Sequence, residues 1–209
     1  MANEVLPEHV RDVRDKTSAP LLDCKKALQE SEGDIEKAIE ILKIKGLSKV
    51  EKKSGRNTPE GQIFSYIHAG GKIGIIVEIN CETDFVARNS EFQDFAKEVA
   101  MQIAASDPKF VSKENMPESY IEDEKKIILA QLADSGKKPE IIEKMVEGRL
   151  SKFFQESCLM EQTYIKDSDK RVNDIFTETI ATLGENISIN RYVRFAIGES
   201  SELPSNGKL

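Results

Sequence analysis

An α+β fold is expected for this 209-residue chain, on three observations. Short apolar stripes at helical spacing occupy roughly the first 45 residues. A strict period of two runs from Lys72 to Glu82. Longer helical stripes fill the interval before a last alternating run near the C-terminus. Leu6, Val10 and Val13 open the series at i, i+4 and i+7, with Pro7 tolerated at a helix start. Lys16-Thr17-Ser18-Ala19 breaks the stripe. Pro20 opens a second helix with the face Leu21, Cys24, Ala27 and Leu28. Gly33 stops it, and Asp34 is placed to cap a third helix bearing Ile35, Ala38, Ile39 and Leu42. Each stripe is too small to be stable alone, so residues 1–46 should pack as a three-helix domain.

Residues 47–59 read as a linker. Lys49, Lys52, Lys53 and Arg56 make it basic, and Ser54, Gly55, Asn57 and Pro59 are poor helix or strand formers. Basic linkers of this kind stay solvated. The α+β core spans 60–198. Its first strand is Gln62 to His68, and Ala69-Gly70-Gly71 turns the chain into the second. There Ile73, Ile75, Val77, Ile79 and Cys81 form one face, as in a half-buried strand. Ser90-x-x-Gln93 resembles a capping box, followed by Phe92, Phe95, Ala96, Val99, Ala100 and Ile103 at helical spacing. A helical hairpin is predicted over about 117–157. One arm carries Ile121, Ile128 and Leu132, Ser135-Gly136 turns it, and the second arm carries Ile142, Met145, Val146, Leu150 and Phe153. Such narrow stripes suit a coiled-coil arm. A third strand, completing a three-stranded antiparallel sheet, places Ile187, Ile189, Val193, Phe195 and Ile197 on one face, with Arg191 the exception. Residues 199–209 read as a flexible polar tail.

Composition narrows the function. Lys and Arg number 30 against 37 Asp and Glu, a net charge of -7, which argues against direct nucleic-acid binding. Trp is absent and aromatics are 6%, so base-stacking platforms are not expected either. No apolar run reaches membrane-spanning length, and the first residues carry no secretory-signal pattern. The three cysteines, Cys24, Cys81 and Cys158, are odd in number and widely spaced, which suits a reducing cytoplasm.

Candidate chemistry is sparse. Cys81 beside Glu82 suggests a thiol nucleophile with His68 as base, but Cys81 continues an apolar face and reads better as structural. No Cys/His set has metal-ligand spacing, so neither metal nor cofactor is expected. Gly70-Gly71-Lys72 lacks the rest of a phosphate loop. Glu122, Asp123 and Glu124 are consecutive on a polar helix face, where solvation is the usual outcome. No catalytic residue is therefore assigned.

The unusual segment is Thr83-Asp84-Phe85-Val86-Ala87-Arg88-Asn89, between the clearest strand and the clearest helix. Thr83 or Asp84 can cap a helical turn, and Arg88-Asn89 can end it. Phe85 then either folds inward as a core plug or projects as a protein-binding wedge beside Asp84. The pattern alone favours the plug.

The run Glu78-Ile79-Asn80-Cys81-Glu82-Thr83-Asp84-Phe85-Val86-Ala87-Arg88-Asn89 closely resembles a signature of the bacterial elongation factor Ts family. Val13 to Leu28 resembles its other signature, extended by Gly33-Asp34-Ile35-Glu36-Lys37-Ala38-Ile39. Ala104 to Pro108, Lys144 to Arg149 and Arg191 to Phe195 also fit, so the resemblance runs in order from about Val10 to Gly198. It implies a UBA-like N-terminal domain, a linker, and an α+β core with a projecting hairpin. It also implies a cytoplasmic translation factor, a guanine-nucleotide exchange factor without covalent chemistry, whose partner is the GTPase elongation factor Tu. Asp84 and Phe85, with Thr83 and Val86, match the loop that enters the GTPase near its magnesium and phosphate site. Leu21 and Leu22 match positions by which the small domain touches the nucleotide-binding domain. The other end of the core grips a distant domain of the same partner. Where the family has Thr-Gly-Ala-Gly, this chain has Thr17-Ser18-Ala19-Pro20. One sheet rather than two resembles the short form of the family, and implies a homodimer joined through the sheet. A generic adaptor using the small domain is the competing reading, separated by whether GDP release is stimulated.

Overall fold

The computed structural model describes residues 5–17, 19–133 and 138–199. Ser18, the Ser135-Gly136 turn and the tail from Ser200 lie outside the described residues. The element order is α1 (Pro7–Thr17), α2 (Leu21–Glu30), α3 (Ile35–Lys53), β1 (Glu60–Ile67), β2 (Ile73–Cys81), α4 (Asp84–Ala87), α5 (Ser90–Ser106), α6 (Glu118–Leu132), α7 (Pro139–Ser157), β3 (Thr163–Tyr164), β4 (Asp167–Arg171), α8 (Val172–Leu183) and β5 (Ile187–Ala196). The expected α+β class is thus observed, with a three-stranded sheet ordered β1-β2-β5. The chain forms two compact units. One holds the described residues up to Ile63, with Glu78–Ala96 and Asp174–Ile189; the other holds Phe64–Val77, Lys97–Asn173 and the residues from Asn190 onward.

In the first unit, α1, α2 and α3 close on a core of Val10, Val13, Cys24, Ala27, Leu28, Ala38 and Leu42. The Asp34 side chain accepts from the Lys37 amide at 3.1 Å, as the sequence predicts for a cap. Gly33 ends α2 with φ +88°, a left-handed conformation that suits glycine. Leu6 and Leu21, expected on the buried stripes, are exposed instead. The third helix also runs further than expected, to Lys53. Gly46 costs a helix only about 1 kcal/mol, and the Leu, Lys, Val and Glu that follow offset it. The stretch without regular structure is therefore Ser54–Pro59. At the start of β1, a Cβ on Gly61 would sit 2.3 Å from the Ile79 carbonyl oxygen, so no side chain fits there. Phe92, Phe95 and Ala96 of α5 are buried in this unit. The cap of α5 is Asn89 rather than Ser90: its Oδ1 accepts from the Glu91 amide at 2.8 Å.

In the second unit, Gly70 and Gly71 have φ +91° and +66°, and the Gly71 amide donates to the His68 carbonyl at 2.9 Å. The glycines make a hairpin turn, as expected. The hairpin of α6 and α7 packs Ile128, Leu132 and Val146 at its seam, against Ile142, Met145 and Leu150. Two elements were not anticipated: the antiparallel β3-β4 ribbon, paired Thr163 to Arg171 and Tyr164 to Asp167, and helix α8. Buried Gln102 holds the ribbon to α5. Its Nε2 donates to the Thr163 carbonyl at 3.1 Å, and its Oε1 accepts from the Ile165 amide at 2.9 Å.

Along β5 the expected single face is interrupted. Asn190 and Arg191 are both exposed, and two exposed neighbours break a period of two. Beyond them Tyr192 turns inward, its hydroxyl donating to the Pro108 carbonyl at 2.6 Å, and the Arg194 side chain is 14% exposed. Phe195 and Ile197 are exposed. With Ile67, Gly74 and Ile76 they line an open apolar hollow on the sheet.

Candidate functional site

Strand β2 delivers Cys81 into the core, and three residues later, at Asp84, the chain enters α4. Thr83 sits in an extended conformation, and its side-chain oxygen caps the turn by accepting from the Val86 amide at 3.4 Å. Ala87 is the inward side chain of this turn, and Val86 is half-buried. Phe85 is 82% exposed, so it is not the core plug that the pattern favours. A four-residue turn has one inward position, and Ala87 occupies it. Asp84 lies beside Phe85, and its Oδ2 accepts from Arg88 Nη2 at 2.8 Å. An exposed i,i+4 pair of this kind contributes about 0.3–0.5 kcal/mol, so the Asp84 carboxylate remains available to a partner.

The turn is tied from beneath by groups distant in sequence. Glu185 accepts twice from Thr83: the amide donates to Oε2 at 3.0 Å and the hydroxyl to Oε1 at 2.6 Å. The Asn186 amide donates to Glu82 Oε1 at 2.6 Å, and Asn186 Nδ2 donates to the Arg56 carbonyl at 2.8 Å. Arg56 Nη1 lies 3.4 Å from Glu82 Oε1. Arg56, expected in a solvated linker, is instead part of this network, and no periodicity marks Glu185 or Asn186. The only local signal was a Gly184-Glu185-Asn186 break ahead of β5.

Cys81 is fully buried, and its thiol donates to the Thr83 carbonyl at 3.1 Å. Burial first, and the Glu185 carboxylate second, push its pKa up to about 11. A nucleophilic cysteine needs the opposite shift. His68, the proposed base, pairs with Ile73 at the other end of β2 from Cys81, and its Nδ1 lies 3.1 Å from the Tyr66 hydroxyl. The thiol-enzyme reading is set aside.

Leu21 and Leu22 occupy the first turn of α2 and are 53% and 71% exposed, while Cys24, Ala27 and Leu28 turn inward. Thr83, Asp84, Phe85 and Val86 are thus brought together on one turn, and Leu21 and Leu22 stand on a separate element. Both places expose large apolar side chains.

Known proteins resemble this chain in sequence. A family model described as Elongation factor TS matches residues 1–199. The chain is 52% identical over 197 residues to Elongation factor Ts of Thermoanaerobacter sp. (strain X514), covering 94% of this chain and 97% of that protein. It is 53% identical over 195 residues to Elongation factor Ts of Carboxydothermus hydrogenoformans, covering 93% and 90%. To Elongation factor Ts of Thermosipho melanesiensis it is 52% identical over 190 residues, covering 91% and 97%.

Proposed function

The chain belongs to the elongation factor Ts family, and from that membership we propose how it acts as a guanine-nucleotide exchange factor in translation. It binds elongation factor Tu carrying GDP, promotes GDP release and lets GTP rebind. The observation that carries the mechanism is Phe85, a large apolar side chain left 82% exposed on a capped turn. Docked in a partner pocket, it gains about 1.5–3 kcal/mol of apolar burial. Asp84 beside it competes with the groups that hold phosphate and magnesium. Leu21 and Leu22 supply a second apolar contact, to the nucleotide-binding domain. A factor that weakens GDP binding is itself weakened by GDP, so the complex turns over. GTP enters because it is in excess.

No bond is made or broken in this cycle, and it uses no cofactor, metal or nucleic acid of its own. The factor works in the cytoplasm; no helix among the described residues is long and apolar enough to cross a membrane. The open apolar hollow of Ile67, Ile76, Phe195 and Ile197 supports a homodimer joined sheet to sheet. The test is release of a fluorescent GDP analogue from elongation factor Tu at substoichiometric amounts of this protein. The wild type accelerates release over many turnovers. Phe85→Ala lowers the maximal rate by about tenfold or more and shifts Tm by less than about 2 °C, because an exposed side chain contributes little to folding. Binding without acceleration by the wild type identifies an adaptor.

A further inference from the structure

We propose that Glu185 is a positioning residue for exchange, holding the Phe85 turn in its docking-ready form; this rests on the function proposed above. Helix α4 has four residues, far below the length at which a helix is stable by itself. Phe85 is too exposed for packing to hold it, so its direction is set by the backbone of the turn. That backbone is anchored at Thr83, and Thr83 is anchored at Glu185.

The hydrogen-bond chemistry is directional. The Thr83 hydroxyl has one proton and gives it to Glu185 Oε1 at 2.6 Å. Its lone pairs are thereby turned to the Val86 amide, which donates to it at 3.4 Å. The second carboxylate oxygen accepts from the Thr83 amide at 3.0 Å. One carboxylate thus fixes both the backbone and the capping oxygen of the residue that starts the turn. Bonds to an ionised acceptor are stronger than those between neutral groups. The thiol of Cys81 and the amide of Ala87 hold the Thr83 carbonyl, at 3.1 and 3.2 Å, and complete the socket. Without Glu185 the turn has to be ordered during docking, and that cost comes out of the energy that drives GDP release.

The experiment measures GDP-analogue release from elongation factor Tu by stopped flow, with the full chain as wild type, Phe85→Ala, Glu185→Ala, Glu185→Gln and the double variant Phe85→Ala/Glu185→Ala. Circular dichroism at the assay temperature establishes that each is folded. Glu185→Ala is expected to lower the maximal release rate about tenfold, the size of one lost charge-assisted hydrogen bond, with little change in the half-saturating concentration. Glu185→Gln keeps one acceptor oxygen and falls between, and it decides the question should the alanine variant not fold. The double variant is expected to lose less than the product of the two single losses, because Glu185 and Phe85 act through the one turn. A folded Glu185 variant that matches the wild type, or a double variant whose loss equals the product of the two single losses, overturns the inference. A Phe85→Ala variant that matches the wild type overturns the wedge and this inference with it, whereas failure of the wild type to accelerate release overturns the underlying function instead.

Discussion

A single exposed aromatic carries most of the functional argument, and its surroundings decide how it acts. Phe85 could be placed outside only once the turn was seen to spend its inward position on Ala87. One aromatic on a four-residue turn has no periodicity, so the sequence could not orient it; the family resemblance implied the right direction where the pattern favoured the wrong one. Glu185 was invisible for a different reason, since its partner lies far away in the chain. Cys81 is legible as structural from its place on an apolar face, while the burial of Cys158 is seen only in the fold, and their burial has a pH consequence. Burial pushes the Cys81 and Cys158 pKa values up to about 11, from an ordinary 9.0. The unfolded chain therefore ionises these thiols first. The stability they contribute is complete below about pH 9 and is lost as pH rises through about 11. Urea unfolding from pH 8 to 11 should show a smaller fall for Cys81→Ala/Cys158→Ala than for the wild type.

At the scale of elements, legibility follows amphipathicity. Strand β2, helix α5 and the α6-α7 hairpin each bury one regular stripe, and each was found where the stripe lies. Strand β4 is Asp167-Ser168-Asp169-Lys170-Arg171, with no apolar residue to alternate. It and its two-residue partner are held by the side chain of Gln102, which no periodicity reports. Helix α8 is rich in Val, Ile and Thr, types that weaken a helical signal. Helix α3 outran its expected end because one glycine cannot stop a run of good helix formers. The hairpin seam is narrow, so each of its side chains matters. Leu132→Ala should cost about 2–5 kcal/mol. Amide exchange should then accelerate throughout α6 and α7 while the β2 amides remain protected, because the seam is a cluster of its own.

For the whole molecule, the open apolar end of the sheet and the sparse chemistry point to work done through surfaces. Ile76 is the one exposed position of β2, and Phe195 stands exposed near the end of β5. If the proposed sheet-to-sheet dimer forms, light scattering at micromolar concentration gives a dimer for the wild type and a monomer for Ile76→Glu with the fold retained, since a charge on an exposed position meets water in the monomer and an apolar face in the dimer. The order of synthesis adds a constraint of its own. Thr83 and Glu185 are 102 residues apart, so the ribosome makes the turn long before it makes its anchor. A nascent chain halted ahead of residue 185 carries the whole Phe85 motif and lacks the socket that holds it. Full competence to act on a GTPase is therefore expected only once residue 185 has been made and folded back, and a chain cut short of it should release GDP more slowly than the full chain.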